Sequence, residues 1–168
     1  MINNSIPMTR DLVLLGGGHT HALVLRKWGM NPLAGARLTV INPGPTAPYS
    51  GMLPGFVAGH YGRDDLDIDL VRLCRFAGAR LILGAASGVD RERGVVHVPN
   101  RPDVAYDVLS IDVGITSMMP ALPGFNAHAI PAKPLGAFAS RWDAFRKAPS
   151  GDVAVIGGGV AGTELAMA

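Results

Sequence analysis

The sequence predicts an α/β fold in which a parallel sheet carries crossover helices and an antiparallel meander is set between its strands. Three observations lead there. Short apolar runs suited to buried parallel strands recur along the chain. Two of them, "VLL" at 13–15 and "VAVI" at 153–156, run straight into three glycines and then into helix-like sequence. Between these lie short β-rich segments separated by turn residues, the pattern of a hairpin or meander.

The elements follow in order. Asp11–Gly16 reads as a buried strand, and Thr20 to about Gly29 as a helix with Leu25 and Trp28 on one face. "RLTVIN" at 37–42 is a second strand, so the opening is a strand–turn–helix–strand unit with an expected right-handed crossover. Residues 43–55, "PGPTAPYSGMLPG", hold too much proline and glycine for regular structure, and such long irregular segments are usually functional. Asp64, Asp65, Asp67 and Asp69 precede the helix "LVRLCRFAG", where caps and dipole-complementing acids belong. Cys74 falls among apolar neighbours in that helix and reads as a packed thiol. "ARLILGAASGVD" and "GVVHVP" read as strands around the turn "DRERG", and "YDVLSIDVG" at 106–114 as another strand. An amphipathic helix at 134–148 precedes a strand at Val153–Ile156 and a new helix, which the chain enters without a stop signal. That unstopped helix gives the expectation of an N-terminal piece of a longer protein.

Composition narrows the function classes. With 168 residues, 48% hydrophobic and 17% charged, the chain can bury a core. The net charge of +2 is spread among acids, which argues against a nucleic-acid surface. A single cysteine excludes an internal disulfide and a two-cysteine redox centre, which suits a cytoplasmic setting. No apolar run reaches membrane-spanning length, and peripheral membrane contact stays open.

The glycine turns carry the chemistry. A pyrophosphate needs backbone N–H groups at a helix N-terminus, and a Cβ obstructs that approach. The spacing G-x-G-x-x-G supplies a tight turn, a close approach and close helix–strand packing, as in Rossmann units. Gly157, Gly159 and Gly162 match it in full. The first turn keeps Gly16 and Gly18, followed by His19 and Thr20, but His21 replaces the packing glycine. The acid expected about 20 residues on, for the ribose hydroxyls, is Asn42, with Pro43 after it. His21 is expected to pack between helix and strand, with a hydrogen bond to a cofactor as the alternative. His19 and His21 as a metal pair lack a third ligand, so no metal is expected. Two such turns suit a flavin dinucleotide in one domain and a nicotinamide dinucleotide in another.

On "LLGGGHTHALVLRKW", "APYSGMLPGFVAGHY" and "YDVLSIDVG", the chain resembles the FAD-dependent pyridine nucleotide-disulfide oxidoreductase superfamily. Within it, the likeness is to NADH dehydrogenase-like flavoproteins, the group sometimes fused to a selenide, water dikinase. The resemblance implies a Rossmann-like FAD-binding domain over 1–148 and the start of an NAD(P)-binding unit at 149–168. It implies that Gly16 and Gly18 hold the FAD pyrophosphate and Asn42 the adenosine ribose, with His19, Thr20 and Pro43 also among the cofactor-binding residues. Tyr49, Ser50, Gly51, Met52, Leu53 and Pro54 would lie toward the flavin ring, and Ala86 would approach the adenine. Gly114 would touch FAD from a segment standing where the superfamily has an A-T-G element. Lys133 would be the basic residue of the inter-domain connection, and Gly157, Gly159 and Gly162 would hold NAD(P)H. The departures are His21, Asn42 and the missing redox cysteine pair, which argues against disulfide reduction.

The implied activity is hydride transfer from NAD(P)H to flavin, then electron passage to a small-molecule or quinone acceptor, with no acid, base or nucleophile assigned. Competing readings are a peripheral NADH or sulfide:quinone-type reductase, a flavin-free NAD-dependent dehydrogenase, and a non-catalytic dinucleotide-binding module. The resemblance leaves room for a fused or associated selenide, water dikinase and for homo-oligomers. A chain ending at Ala168 is expected to be apo or weakly loaded with flavin, inactive with NADH and prone to self-association. Strand Val153–Ile156, with no sheet of its own to join, is expected to pair elsewhere, pack irregularly or dimerise through an open edge.

Overall fold

The structure, a computed structural model, describes Pro7, residues 10–117, Met119, residues 121–148 and residues 151–168. Its strands are β1 (Arg10–Leu15), β2 (Ala36–Asn42), β3 (Thr46–Pro48), β4 (Asp67–Asp69), β5 (Arg80–Leu83), β6 (Gly88–Asp90), β7 (Val95–His97), β8 (Val104–Ala105) and β9 (Val108–Ile111). Its helices are α1 (His19–Met30), α2 (Leu53–Val57), α3 (Leu70–Ala77), α4 (Phe125–His128), α5 (Leu135–Lys147) and α6 (Val160–Met167). The chain divides into two compact units, Met1–Ala47 with Ile68–Gly114, and Pro48–Asp67 with Ile115–Ala168.

The first unit is built on a four-stranded parallel sheet in the order β5-β2-β1-β9. Alternation along its two central strands decides what covers each face. Leu14 of β1 and Leu38 and Val40 of β2 point to one face, where Leu25 of α1 and Leu70, Cys74 and Ala77 of α3 meet them. Val13 and Leu15 of β1 and Ile41 of β2 point to the other, against Val96, Val98 and Val104. Those last residues belong to the antiparallel meander β6-β7-β8 and its connections. The unit is therefore helices, sheet and meander in three layers, which is why β2 is buried from Leu38 to Asn42.

Local chemistry sets the ends of α3. The Asp69 carboxylate accepts the Arg72 N–H at 2.9 Å, and Gly78 closes the helix in the left-handed region at φ 61°. Of the four aspartates before this helix, only Asp69 is its cap. Asp65 instead accepts the Gly62 N–H, and Asp67 pairs with Arg63 at 3.0 Å.

The second unit has its own core of Leu53, Phe56, Leu66, Leu135 and Ala139, with Phe138, Trp142 and Leu165 packed against it. Arg146 lies over the Phe56 ring, 5.6 Å from its centre, and donates to the Phe56 carbonyl at 3.1 Å.

Three expectations change. Residues 43–55 are not wholly irregular, since they contain β3 and the start of α2, whose first turn accommodates Pro54. "ARLILGAASGVD" splits between two sheets, β5 joining the parallel sheet and β6 the meander. Val153–Ile156 is not a strand. Among the described residues no strand pairs with it, and Val153, Val155 and Ile156 stay 55%, 43% and 69% exposed.

Burial pushes the Cys74 thiol up from 9.0 to about 11. The unfolded thiol releases its proton at its ordinary value while the folded one keeps it, so folding stability falls as pH rises from about 9 toward 11. Cys74 is accordingly expected to resist a thiol reagent at neutral pH until denaturant unfolds the protein. A Cys74→Ala variant should lose the alkaline part of the denaturation profile, which urea titrations across pH measure.

Candidate dinucleotide site

The turn between β1 and α1 is held from two sides. Gly16 adopts φ +91°, a conformation that favours glycine, and a Cβ there would run into the backbone of Asp112 and Val113 just after β9. The Gly16 N–H donates to the Ile41 carbonyl at 2.8 Å, and the Gly18 N–H to the Asp112 carbonyl at 3.2 Å. The turn is thus pinned between the carboxyl ends of β2 and β9. This is the end of a parallel sheet at which ligands bind.

His21 takes the place of the third glycine by hydrogen bonding. The ring is fully buried, with Nδ1 2.7 Å from the Gly16 carbonyl and Nε2 2.8 Å from the Ser110 hydroxyl of β9. A carbonyl only accepts, so Nδ1 carries a proton. In the neutral ring Nε2 then accepts from Ser110. The ring joins the turn, the helix and β9 through one side chain. With both nitrogens so engaged, His21 is not placed to ligate a metal. Among the described residues no group of three or more metal-ligating side chains is assembled.

Asn42, 7% exposed at the end of β2, also spends its side chain on the turn. Its Oδ1 accepts the Gly17 N–H at 2.9 Å, and its Nδ2 donates to the Gly44 and Thr46 carbonyls at 2.8 and 3.2 Å. A carboxylate could accept from Gly17 but would face the two carbonyls without a proton to offer. The amide is the residue type that satisfies all three partners. Pro43 beside it is exposed.

The second turn shows what the missing glycine does. A Cβ on Gly162 would collide with the Gly157 carbonyl, whereas no described residue lies within 4 Å of a Cβ on Gly157, Gly158 or Gly159. Gly157 sits at φ +125° and Gly159 caps α6 in extended backbone, as Gly18 caps α1. Gly162 lets the carbonyl of the turn abut the helix; His21 holds the equivalent carbonyl with a proton.

The remaining sequence-derived residues are distributed between the units. His19 and Thr20 open α1, Ala86 packs at the edge of the meander core, and Gly114 is exposed at φ +75°. All belong to the first unit. Tyr49 through Pro54 lie in the second, as do Lys133, whose N–H donates to Ser117 at 3.1 Å, and the glycines of the second turn. The structure therefore gathers Gly16, Gly18, Thr20 and Asn42 around one turn. It adds two residues that sequence reasoning passed over, Ser110 and Asp112. The Asp112 carboxylate accepts from the N–H groups of Thr20 at 2.9 Å and His21 at 3.4 Å. The signal for both was present in "LSIDVG", where a hydroxyl and a carboxylate interrupt an otherwise apolar strand end.

Removing the ring should cost more than removing its outer partner. His21→Ala opens a void at a fully buried position and orphans the Gly16 carbonyl, for an expected loss of about 3 kcal/mol. Ser110→Ala leaves only Nε2 without a partner, about 1–2 kcal/mol. Urea denaturation monitored by circular dichroism measures both, and an equal loss in the two variants would contradict the arrangement.

Comparison with known proteins gives the fold and the family. Solved structures with the same fold include CoADR-RHD from Bacillus anthracis, with TM-score 0.76, 20% identity, and coverage of 94% of this chain and 30% of that one. Another is a NAD-dependent persulfide reductase from A. fulgidus, with TM-score 0.73, 23% identity, and coverage of 93% and 31%. A third is the NADH:rubredoxin oxidoreductase of Clostridium acetobutylicum, with TM-score 0.68, 22% identity, and coverage of 94% and 41%. The chain thus spans about a third of the length of these structures. A comparison with curated protein sequences gives no significant match. The sequence profile of the pyridine nucleotide-disulphide oxidoreductases matches residues 10–168. The chain belongs to the pyridine nucleotide-disulphide oxidoreductase family, whose members use FAD with NAD(P)H.

Proposed function

We propose that this chain is the FAD-binding part, with the opening of the NAD(P)-binding part at 149–168, of a flavin-dependent NAD(P)H oxidoreductase. The observation that carries the reading is the first turn. Two close-approach glycines there meet the N-terminus of α1 at the carboxyl end of a parallel sheet. The residues fit a pyrophosphate, because Gly18 presents no side chain where the helix begins and the helix dipole favours an anion there. Gly16 and Gly18 would admit the pyrophosphate, with His19 and Thr20 supplying helix N-terminal amides. In the second turn the open backbone of Gly157, Gly158 and Gly159 supports the same role toward NAD(P)H.

The chemistry in this reading is hydride transfer from NAD(P)H to the flavin ring and electron passage to a second acceptor, which the cofactor supplies. The side chains position the cofactor. Asn42 is bound within its own loop, so its contribution to ribose recognition would be chiefly to shape the backbone, as both its N–H donors are already committed. The single cysteine is buried in α3, which speaks against thiol chemistry in this part of the protein. The acceptor is not chosen by the fold, since the neighbours' names carry a persulfide in one case and rubredoxin in another.

FAD titration of the chain, followed by flavin fluorescence, tests the reading. Wild-type protein should bind, and Gly18→Val should lose binding at least tenfold while keeping its far-ultraviolet spectrum. Gly16→Val should fail to fold, because its side chain meets backbone and not a movable group. FAD affinity unchanged in Gly18→Val would remove the site from the first turn.

A further inference from the structure

We infer that Asp112 is an internal, displaceable occupant of the pyrophosphate position, and that its departure sets the affinity for the dinucleotide. The inference rests on the first turn being the FAD site. Gly18 is the N-cap of α1 but has no side chain with which to cap it, and the first turn of the helix holds no acid. The orphan N–H groups of Thr20 and His21 are instead taken by the carboxylate of Asp112, a residue some 90 positions later in the chain. The Gly17 and Gly18 N–H groups are also engaged, by Asn42 and by the Asp112 carbonyl. The helix start is therefore already supplied with one negative charge and with acceptors for its amides.

Two further facts make this carboxylate a competitor and not merely a cap. The space beside Gly18, which glycine leaves clear, is where the Asp112 carboxyl group lies, since a Cβ built on Gly18 would run into it. A phosphate using the Thr20 amide must take it from Oδ2, and the two anions repel at that distance. Among the described residues the second turn has no counterpart: Gly159 caps α6 without a side-chain bond, and none of them lies within 4 Å of the Cβ positions of Gly157, Gly158 and Gly159. The structure thus holds one capped and one open turn of the same spacing. Only the capped one must exchange an internal carboxylate for a ligand. Asp112 is only half-buried, and the backbone bond it accepts from Gly18 does not involve its side chain, so the carboxylate can turn away without dismantling the turn.

The test compares wild-type chain with Asp112→Asn, which keeps the shape and removes the charge, and Asp112→Ser, which leaves a neutral hydroxyl. FAD is titrated by fluorescence, and inorganic pyrophosphate is followed by its effect on thermal unfolding. Both variants should bind FAD at least tenfold more tightly than wild type. Pyrophosphate should raise their Tm at concentrations that leave wild type unmoved. A residue needed only to cap α1 would give the opposite sign in both measurements, because its loss loosens the helix that binds. Wild-type binding of FAD with equal or weaker binding by both variants would overturn the proposal and leave the FAD reading standing. No FAD binding by any of the three would overturn both.

Discussion

The candidate site depends on one short distance, that between the carbonyl of Gly16 and the first turn of α1. A helix that presents its N-terminus to a ligand at the end of a strand must start within a few residues of that strand. The carbonyl at the bend is then forced against the helix. Such a group, cut off from water, needs either a donor or a neighbour with no atoms in the way. His21 is the donor, 2.7 Å away, and the choice propagates. Protonation at Nδ1 turns Nε2 toward Ser110, which lashes the turn to β9. The ladder between β1 and β9 brings the next residue, Asp112, to the same place, where it accepts from Gly18 and from the amides of α1.

The same accounting governs Asn42. Its position at the end of β2 is where a ribose-binding acid stands in dinucleotide-binding units. Here the side chain faces one donor and two acceptors, all from backbone that has left the sheet. An amide matches that set and a carboxylate does not. The donors named around the turn are each matched to an acceptor, from the ends of β2 and β9, the following loop, the turn itself or His21. In the proposed reading, entry of a ligand is therefore an exchange of partners.

Much of this was legible in the sequence, and the limits have physical causes. The order of strands and helices followed from apolar runs and glycines, because burial on both faces of a parallel sheet leaves little choice of residue. The packing role expected of His21 holds, but its two partners are 5 and 89 residues away, and periodicity carries no record of partners so distant. Asp112 stood in a stretch already singled out for Gly114. Its role depends on β9 lying beside β1, a fact of topology and not of local pattern. The Rossmann-like sheet was foreseen. The split of residues 79–90 between two sheets was not, since both halves have the same β-rich composition.

The failed strand at Val153–Ile156 shows which parts of a strand–turn–helix motif are local. Its sequence is as apolar as that of β1, and its glycines are better matched to the motif. The turn and helix form as they do in the first copy: Gly159 stands at φ −76°, ψ 175° and Gly18 at φ −62°, ψ 174°. Backbone conformation and hydrogen bonds inside a helix need only neighbouring residues. A strand needs a partner to bond to, and β1 has one on each side, β2 and β9. The apolar residues that would pack beneath a sheet are left facing outward. The glycine spacing sets how the chain bends and how close its carbonyl comes to the helix in both turns. What the sheet adds is everything that distinguishes the first turn. β9 supplies Ser110 and leads directly into Asp112, β2 brings Asn42, and these three residues tie the bend to the sheet and to the first amides of α1.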